Sequence, residues 1–107
     1  MLIGTMNHPG RDLLNEVQRI AKMGFDFIDL TLEPPMAYAR RIDIAEIQAA
    51  IRDTGLGVIG HTAYYLPLCS PFDMVRKATV QELRVCLEVF AKLGAPWMNL
   101  HPDEMAP

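Results

Sequence analysis

The chain has 107 residues, 50% apolar and 21% charged, with a formal net charge of −3 at neutral pH. That length supports one modest domain and not two, and an acidic balance lacks the basic footprint of a nucleic-acid binder. No apolar run approaches the ~18 residues of a membrane span, and Met1 to Met6 lacks a signal peptide's basic start and long apolar stretch.

Apolar runs of strand length alternate with segments of helical period. Leu2-Ile3-Gly4-Thr5-Met6 is the first predicted strand. Leu13, Val17, Ile20 and Ala21, with Leu14 beside them, then share one helical face, and Gly24 stands where that helix ends. Phe25 to Leu32 reads as a largely buried strand, stopped by Pro34 and Pro35 because proline cannot continue a sheet ladder.

Asp43 followed three residues later by Glu46 predicts a capping box for a second helix, with Ile44, Ile47 and Ile51 as its buried stripe and Gly55 at its close. Leu56 to Gly60 is a short strand delivering His61. Ser70 as cap and Pro71 in the first turn open a third helix. Its apolar side is Val75, Ala78, Leu83, Cys86, Val89, Phe90 and Leu93; it ends at Gly94, and a break is expected near Thr79 and Val80. Pro96 to Leu100 is the last strand, delivering His101.

The glycines at 24, 55 and 94 recur at the spacing of one βα unit. Strict β-α-β-α-β-α-β order implies parallel strands joined by right-handed crossovers. The fold class is therefore α/β: the first half of a (β/α)8 TIM barrel, or alternatively an open four-stranded sheet. The chain stops shortly after His101, before any fourth helix. Residues 1–107 thus read as a single domain, the N-terminal half of a barrel, truncated there. Cys69 and Cys86 show neither CxxC spacing nor a disulfide framework and read as reduced thiols of a cytoplasmic protein, Cys86 in the core.

In parallel α/β proteins chemistry collects at the C-terminal ends of strands. Polar residues gather there: Asn7 and His8, then Asp29 and Glu33, then His61, Tyr64 and Tyr65, then Asn99, His101, Asp103 and Glu104. His61 and His101 end neighbouring strands ~4.8 Å apart. Two imidazoles so placed can converge on one cation at ~2.0–2.1 Å, with a carboxylate completing the set. The alternative is that each histidine orders its own loop. Asp29 has the alternative of pairing at its strand end, and Glu33 that of a solvated loop carboxylate. Asp103 and Glu104 read as solvated, Trp97, Met98 and the other methionines as core, and His8 as part of a Pro-Gly turn. No Walker loop, Rossmann glycine fingerprint or GxSxG elbow is present.

His61-Thr62-Ala63-Tyr64-Tyr65-Leu66-Pro67-Leu68 with Ser70-Pro71 resembles the third-strand segment of the endonuclease IV proteins. Glu82 to Pro102 is similar to that family's next unit, a helix ending in Leu-Gly and a strand ending Asn-x-His-Pro. Gly24-Phe25-Asp26-Phe27-Ile28-Asp29-Leu30 looks like the second-strand signature of the related sugar phosphate isomerases and epimerases. The resemblance is thus to the xylose isomerase-like TIM barrel superfamily. It implies that His61 and His101 match a zinc-ligating pair and that Tyr64 matches an aromatic used against DNA. Tyr65 stands where that motif has leucine and Asp103 where it has glycine, which points away from DNA processing. Asp29 stands where the isomerases carry glutamate. Their metal ligands come mostly from second-half strands, which lie outside this sequence.

The expected function is a metal-assisted isomerase or epimerase acting on a sugar or sugar phosphate, once the barrel is complete. Asp29 and Glu33 are its expected catalytic carboxylates and His61 and His101 its metal ligands. Asn7, Tyr64 and Asn99 are the expected substrate contacts, and the cofactor is a divalent metal (Zn, Mn, Co or Mg). The alternatives are an endonuclease IV-like phosphodiesterase acting at abasic DNA, and a non-catalytic half-barrel that self-associates as a homodimer through its exposed strand edges.

Overall fold

Ile28, Leu30 and Leu32 alternate along one strand with Phe27, Asp29 and Thr31, and successive side chains of a strand point to opposite faces of its sheet. In the computed structural model, which describes residues 1–102, that strand lies inside a four-stranded sheet. The elements are β1 (Gly4–Met6), α1 (Leu13–Lys22), β2 (Phe27–Leu32), α2 (Ile44–Thr54), β3 (Gly57–Thr62), α3 (Asp73–Leu93) and β4 (Met98–Asn99). The strands stand in the order β1-β2-β3-β4, every neighbouring pair parallel. Asp103 and Glu104 lie outside the described residues.

All three helices pack on one face. Ile28, Leu30, Leu32 and Val58 of the sheet share a single core with Leu13, Val17 and Ile20 of α1, Ile47 and Ala50 of α2, and Cys86, Val89, Phe90 and Leu93 of α3. The opposite face carries Met6, Phe27, Ile59 and Trp97, none of which belongs to that core, and Met6 and Trp97 remain 42% and 56% exposed. Phe27 lies across Gly4, where an added Cβ would sit 2.3 Å from its ring. A doubly wound open sheet places helices on both faces and reverses its strand order at a switch point. Neither occurs among the described residues. Sequential order with every helix on one side is half of a TIM barrel, the bare face being the barrel's interior.

Local chemistry sets the boundaries. Asp12 caps α1 by accepting from the Asn15 backbone N–H at 3.0 Å, and Asp43 caps α2 by accepting from Glu46 N–H at 3.1 Å. Gly55 and Gly94 close α2 and α3 in the left-handed region, with φ of 71° and 78°, which a side chain would disfavour.

Several expectations are corrected. The first strand starts at Gly4, since Leu2 and Ile3 are exposed and Ile3 N–H is held by the Asp26 carboxylate. The third helix starts at Asp73, with Phe72 at the cap position; Ser70 Oγ accepts from Phe72 N–H and so shapes the preceding turn. That helix is unbroken: the Thr79 hydroxyl donates to Val75 C=O within the helix and the residue is buried. Val75 and Ala78 are exposed because the first turns of α3 extend beyond the shared core. Trp97 is not core, and Met1, Met6, Met23, Met36 and Met74 are exposed; among the described methionines Met98 alone packs against the core. No helix of the described residues is long and apolar enough to cross a membrane.

Candidate functional site

Residues two apart on a strand share a face, and parallel register aligns them across strands. Thr31 is the register partner of His61, and His61 of Asn99. Asp29, Thr31 and Glu33, then His61, then Asn99 and His101, therefore follow one alternation onto the bare face at the strands' C-terminal end. His61 Nδ1 lies 3.1 Å from each oxygen of Asp29, and its Nε2 lies 2.6 Å from Nε2 of His101. The ring centroids are 4.8 Å apart and the planes inclined by 30°, so the two imidazoles meet edge to edge through these nitrogens.

A carboxylate only accepts, so His61 carries a hydrogen on Nδ1, and a neutral His61 then presents a lone pair at Nε2. Two lone pairs 2.6 Å apart would repel, so the contact as it stands requires a hydrogen on His101 Nε2; two nitrogens holding one tetrahedral cation at ~2.0–2.1 Å would stand farther apart, at about 3.3 Å. Beside them, Glu33 accepts from Thr31 Oγ1 at 2.7 Å and from the Tyr65 hydroxyl at 3.4 Å. Burial, and then the Glu33 charge, push the Tyr65 hydroxyl above its ordinary pKa, which keeps it a donor. Glu33, His61 and His101, together with Thr31, Thr62, Tyr64 and Met6, line a cavity of about 310 Å³. A larger hollow of about 530 Å³ runs along α3 past Arg76, Lys77 and Arg84, and shares none of these residues.

The other expected site residues are placed differently. Tyr64 is 70% exposed on the cavity rim, edge-on to Tyr65 at 5.3 Å. Asn99 is exposed beside His61, and its carbonyl accepts from Thr62 Oγ1. Asn7 is buried, and both ends of its amide are used on the Thr31 backbone, Oδ1 accepting at 2.8 Å and Nδ2 donating at 3.3 Å. It continues the β1–β2 ladder beyond Met6 and does not line the cavity. His8 Nδ1 accepts from Gly10 N–H within its own turn.

Two residues escaped the sequence reading. Thr31 orients Glu33 from a buried position. Glu16, buried in α1, accepts from His8 N–H at 2.7 Å and pairs with Arg19 at 2.7 Å, which pins the β1–α1 loop. The Arg19 hydrogen bond holds the Glu16 carboxyl below the ordinary carboxylate range, against the opposing cost of burial. Its signal was available: a carboxylate inside the stripe Leu13, Val17, Ile20, with arginine three residues on. Cys86 is buried, and burial pushes its thiol up to about 11, so it is an inert core residue.

The sequence pattern of the xylose isomerase-like TIM barrel family matches residues 17–106. The chain belongs to that family. No curated protein matches it in sequence. Among solved structures, this xylose isomerase-like chain is similar to a D-psicose 3-epimerase crystallised in the presence of D-fructose, with a TM-score of 0.71 and 20% identity over 89% of this chain and 35% of that one. It is also similar to a D-allulose 3-epimerase from Methylomonas sp., with a TM-score of 0.63 and 20% identity over 88% of this chain and 35% of that one. At that identity the likeness shows the fold. The chain spans 35% of the length of these two structures.

The residues of this xylose isomerase-like chain fit part of a metal site. Two imidazole nitrogens converge, and one ring is backed by a carboxylate, the arrangement that fixes histidine orientation around metals. Among the described residues no group of three or more His, Cys, Asp or Glu side chains completes a cluster. The described residues thus offer a pair of donors.

Proposed function

We propose that this chain forms the first half of a metal-assisted sugar isomerase or epimerase site, which becomes competent when the barrel closes. The observation that supports it most directly is the 2.6 Å convergence of His61 and His101 at the strand ends, beside a carboxylate in the same cavity. His61 and His101 would hold a divalent cation through Nε2. When bound, such a cation supplies Lewis acidity beside a sugar carbonyl.

Glu33 is the proton-transfer group. Its carboxylate opens into the cavity, and Thr31 and Tyr65 hold it in place. It takes a proton from the carbon adjacent to the carbonyl and delivers it to the former carbonyl carbon, while the hydroxyl proton passes to the former carbonyl oxygen, which moves the carbonyl; inversion of the first carbon needs a second acid on the opposite face of the enediolate. Tyr64, exposed at the rim, and Asn99, exposed beside His61, contact sugar hydroxyls. The solved neighbours, a D-psicose 3-epimerase crystallised in the presence of D-fructose and a D-allulose 3-epimerase, favour a free ketohexose as substrate class.

Binding tests this reading. Cobalt(II) added to the chain should perturb the ring signals of His61 and His101, and D-fructose should then shift the amides of Tyr64 and Asn99. Fructose at millimolar concentration that leaves both amides unmoved would sink the sugar assignment.

A second reading concerns assembly and is favoured by the bare sheet face. Met6, Phe27, Ile59 and Trp97 lie on it without a helix above them, and β1 and β4 are the sheet's two edges. The occupant we assign is a second copy of this chain. A twofold axis along the strand direction brings β4 of each copy beside β1 of the other, completing the eight parallel strands of a closed barrel.

A further inference from the structure

We infer that Asp29 is a positioning residue rather than an acid or base: it fixes His61 in the Nδ1–H form, so that the Nε2 lone pair faces His101. The inference rests on the metal reading above only for its last consequence, because the lone pair so presented is the one through which His61 would hold a cation.

Three observations carry it. Both oxygens of Asp29 lie at the same 3.1 Å from one nitrogen, His61 Nδ1. Asp29 is absent from the cavity lining, where Glu33, His61 and His101 are all present. Its register partners on both sides, Met6 and Ile59, are apolar, so among the described residues His61 is the hydrogen-bonding partner of this carboxylate. A group that meets a histidine and does not itself line the cavity acts through that histidine.

The hydrogen order follows from donor chemistry. The ionised carboxylate accepts the hydrogen of Nδ1, and neutral imidazole has no second one, so His61 Nε2 is an acceptor. At 2.6 Å from it, His101 Nε2 must bring the hydrogen in the metal-free protein. The row therefore runs in one direction: His101 donates to His61, and His61 donates to Asp29. Among the described residues no other group contacts His61 Nδ1 to select this form. A fixed tautomer also readies the ligand, since carboxylates behind metal-binding histidines contribute ~10–100-fold in affinity.

The test uses the 107-residue chain, labelled with nitrogen-15, at a pH at which the spectra themselves show neutral rings. Two-bond proton–nitrogen spectra read which ring nitrogen carries the hydrogen. The expected result is Nδ1–H for His61 and Nε2–H for His101. Asp29→Ala should shift His61 toward Nε2–H, and Asp29→Glu should restore the wild-type pattern. Backbone amide spectra establish that each variant is folded, and the near-isosteric Asp29→Asn, which mixes donor and acceptor at this position, serves should the alanine variant unfold. Wild-type His61 found as Nε2–H, or unchanged in a folded variant without the carboxylate, overturns the inference. Zinc alone is then titrated into wild type and Asp29→Ala. A ~10–100-fold weaker binding in the variant extends the inference to the metal. If wild type takes up no zinc while the tautomers are as expected, the metal reading fails and the positioning role stands.

Discussion

His61 and His101, forty positions apart in the chain, bring their Nε2 atoms to 2.6 Å across the β3–β4 pair. Only a shared hydrogen makes that approach favourable, and the pair lies at the end of the sheet where parallel α/β proteins place their chemistry.

The first prediction concerns that pair. His101→Ala should lower zinc or cobalt affinity at least tenfold, as measured by calorimetric titration, because one imidazole cannot replace two. The fold should be unaffected by the substitution or by a chelator, since His101 is exposed and His61 keeps its Asp29 partner. Undiminished affinity in the variant would remove His101 from the site.

Asn7 should prove a structural residue of unusual weight for its size. Its amide satisfies both the N–H and the C=O of buried Thr31. Asn7→Ala leaves two backbone groups without their partner, and each unsatisfied buried group costs about 1–3 kcal/mol. Urea denaturation of the variant should show a loss of at least that size. A midpoint equal to wild type would mean that water replaces the amide without cost.

Acid sensitivity should trace to Glu16. The folded carboxyl is held below its unfolded pKa by the Arg19 hydrogen bond. The folded protein therefore releases this proton more readily than the unfolded chain does. The resulting stabilisation is present above the unfolded glutamate pKa of ~4.3 and is lost as pH falls through the lower folded value. Glu16→Gln should flatten the fall of the urea midpoint over that acid window and change its neutral-pH dependence little. An acid limb as steep as wild type would assign the sensitivity to other carboxylates.

Assembly is testable through the bare face. Sedimentation at micromolar concentration should give the mass of a dimer, and Ile59→Asp should give a monomer, because a carboxylate facing a closed barrel interior carries a desolvation cost. A wild-type monomer across that range would reject closure by a second copy.

Much of the fold was readable from local chemistry. Gly55 and Gly94 ended their helices through a backbone conformation that favours glycine, Asp43 capped the second, and the apolar periods separated helix from strand. Boundaries failed where competing signals stood close together. Ser70 and Pro71 looked like a helix start, but the helix began at Asp73, with Ser70 bonded to the turn before it. The side chains at the strand ends were readable as a group because strand alternation is a property of the chain itself.

What the sequence determined by itself was the βα repeat, the helix ends and the delivery of His61, His101, Asp29 and Glu33 to one end of the sheet. The tertiary structure alone decided which of these groups meet. Register set Thr31 beside His61 and His61 beside Asn99, so that Asp29 backs a histidine while Glu33 opens into the cavity. It also turned Asn7 inward to the backbone and placed all three helices on one face. Hydrogen bonds between residues distant in sequence depend on alignment to within an ångström, and only the packed sheet supplies that alignment.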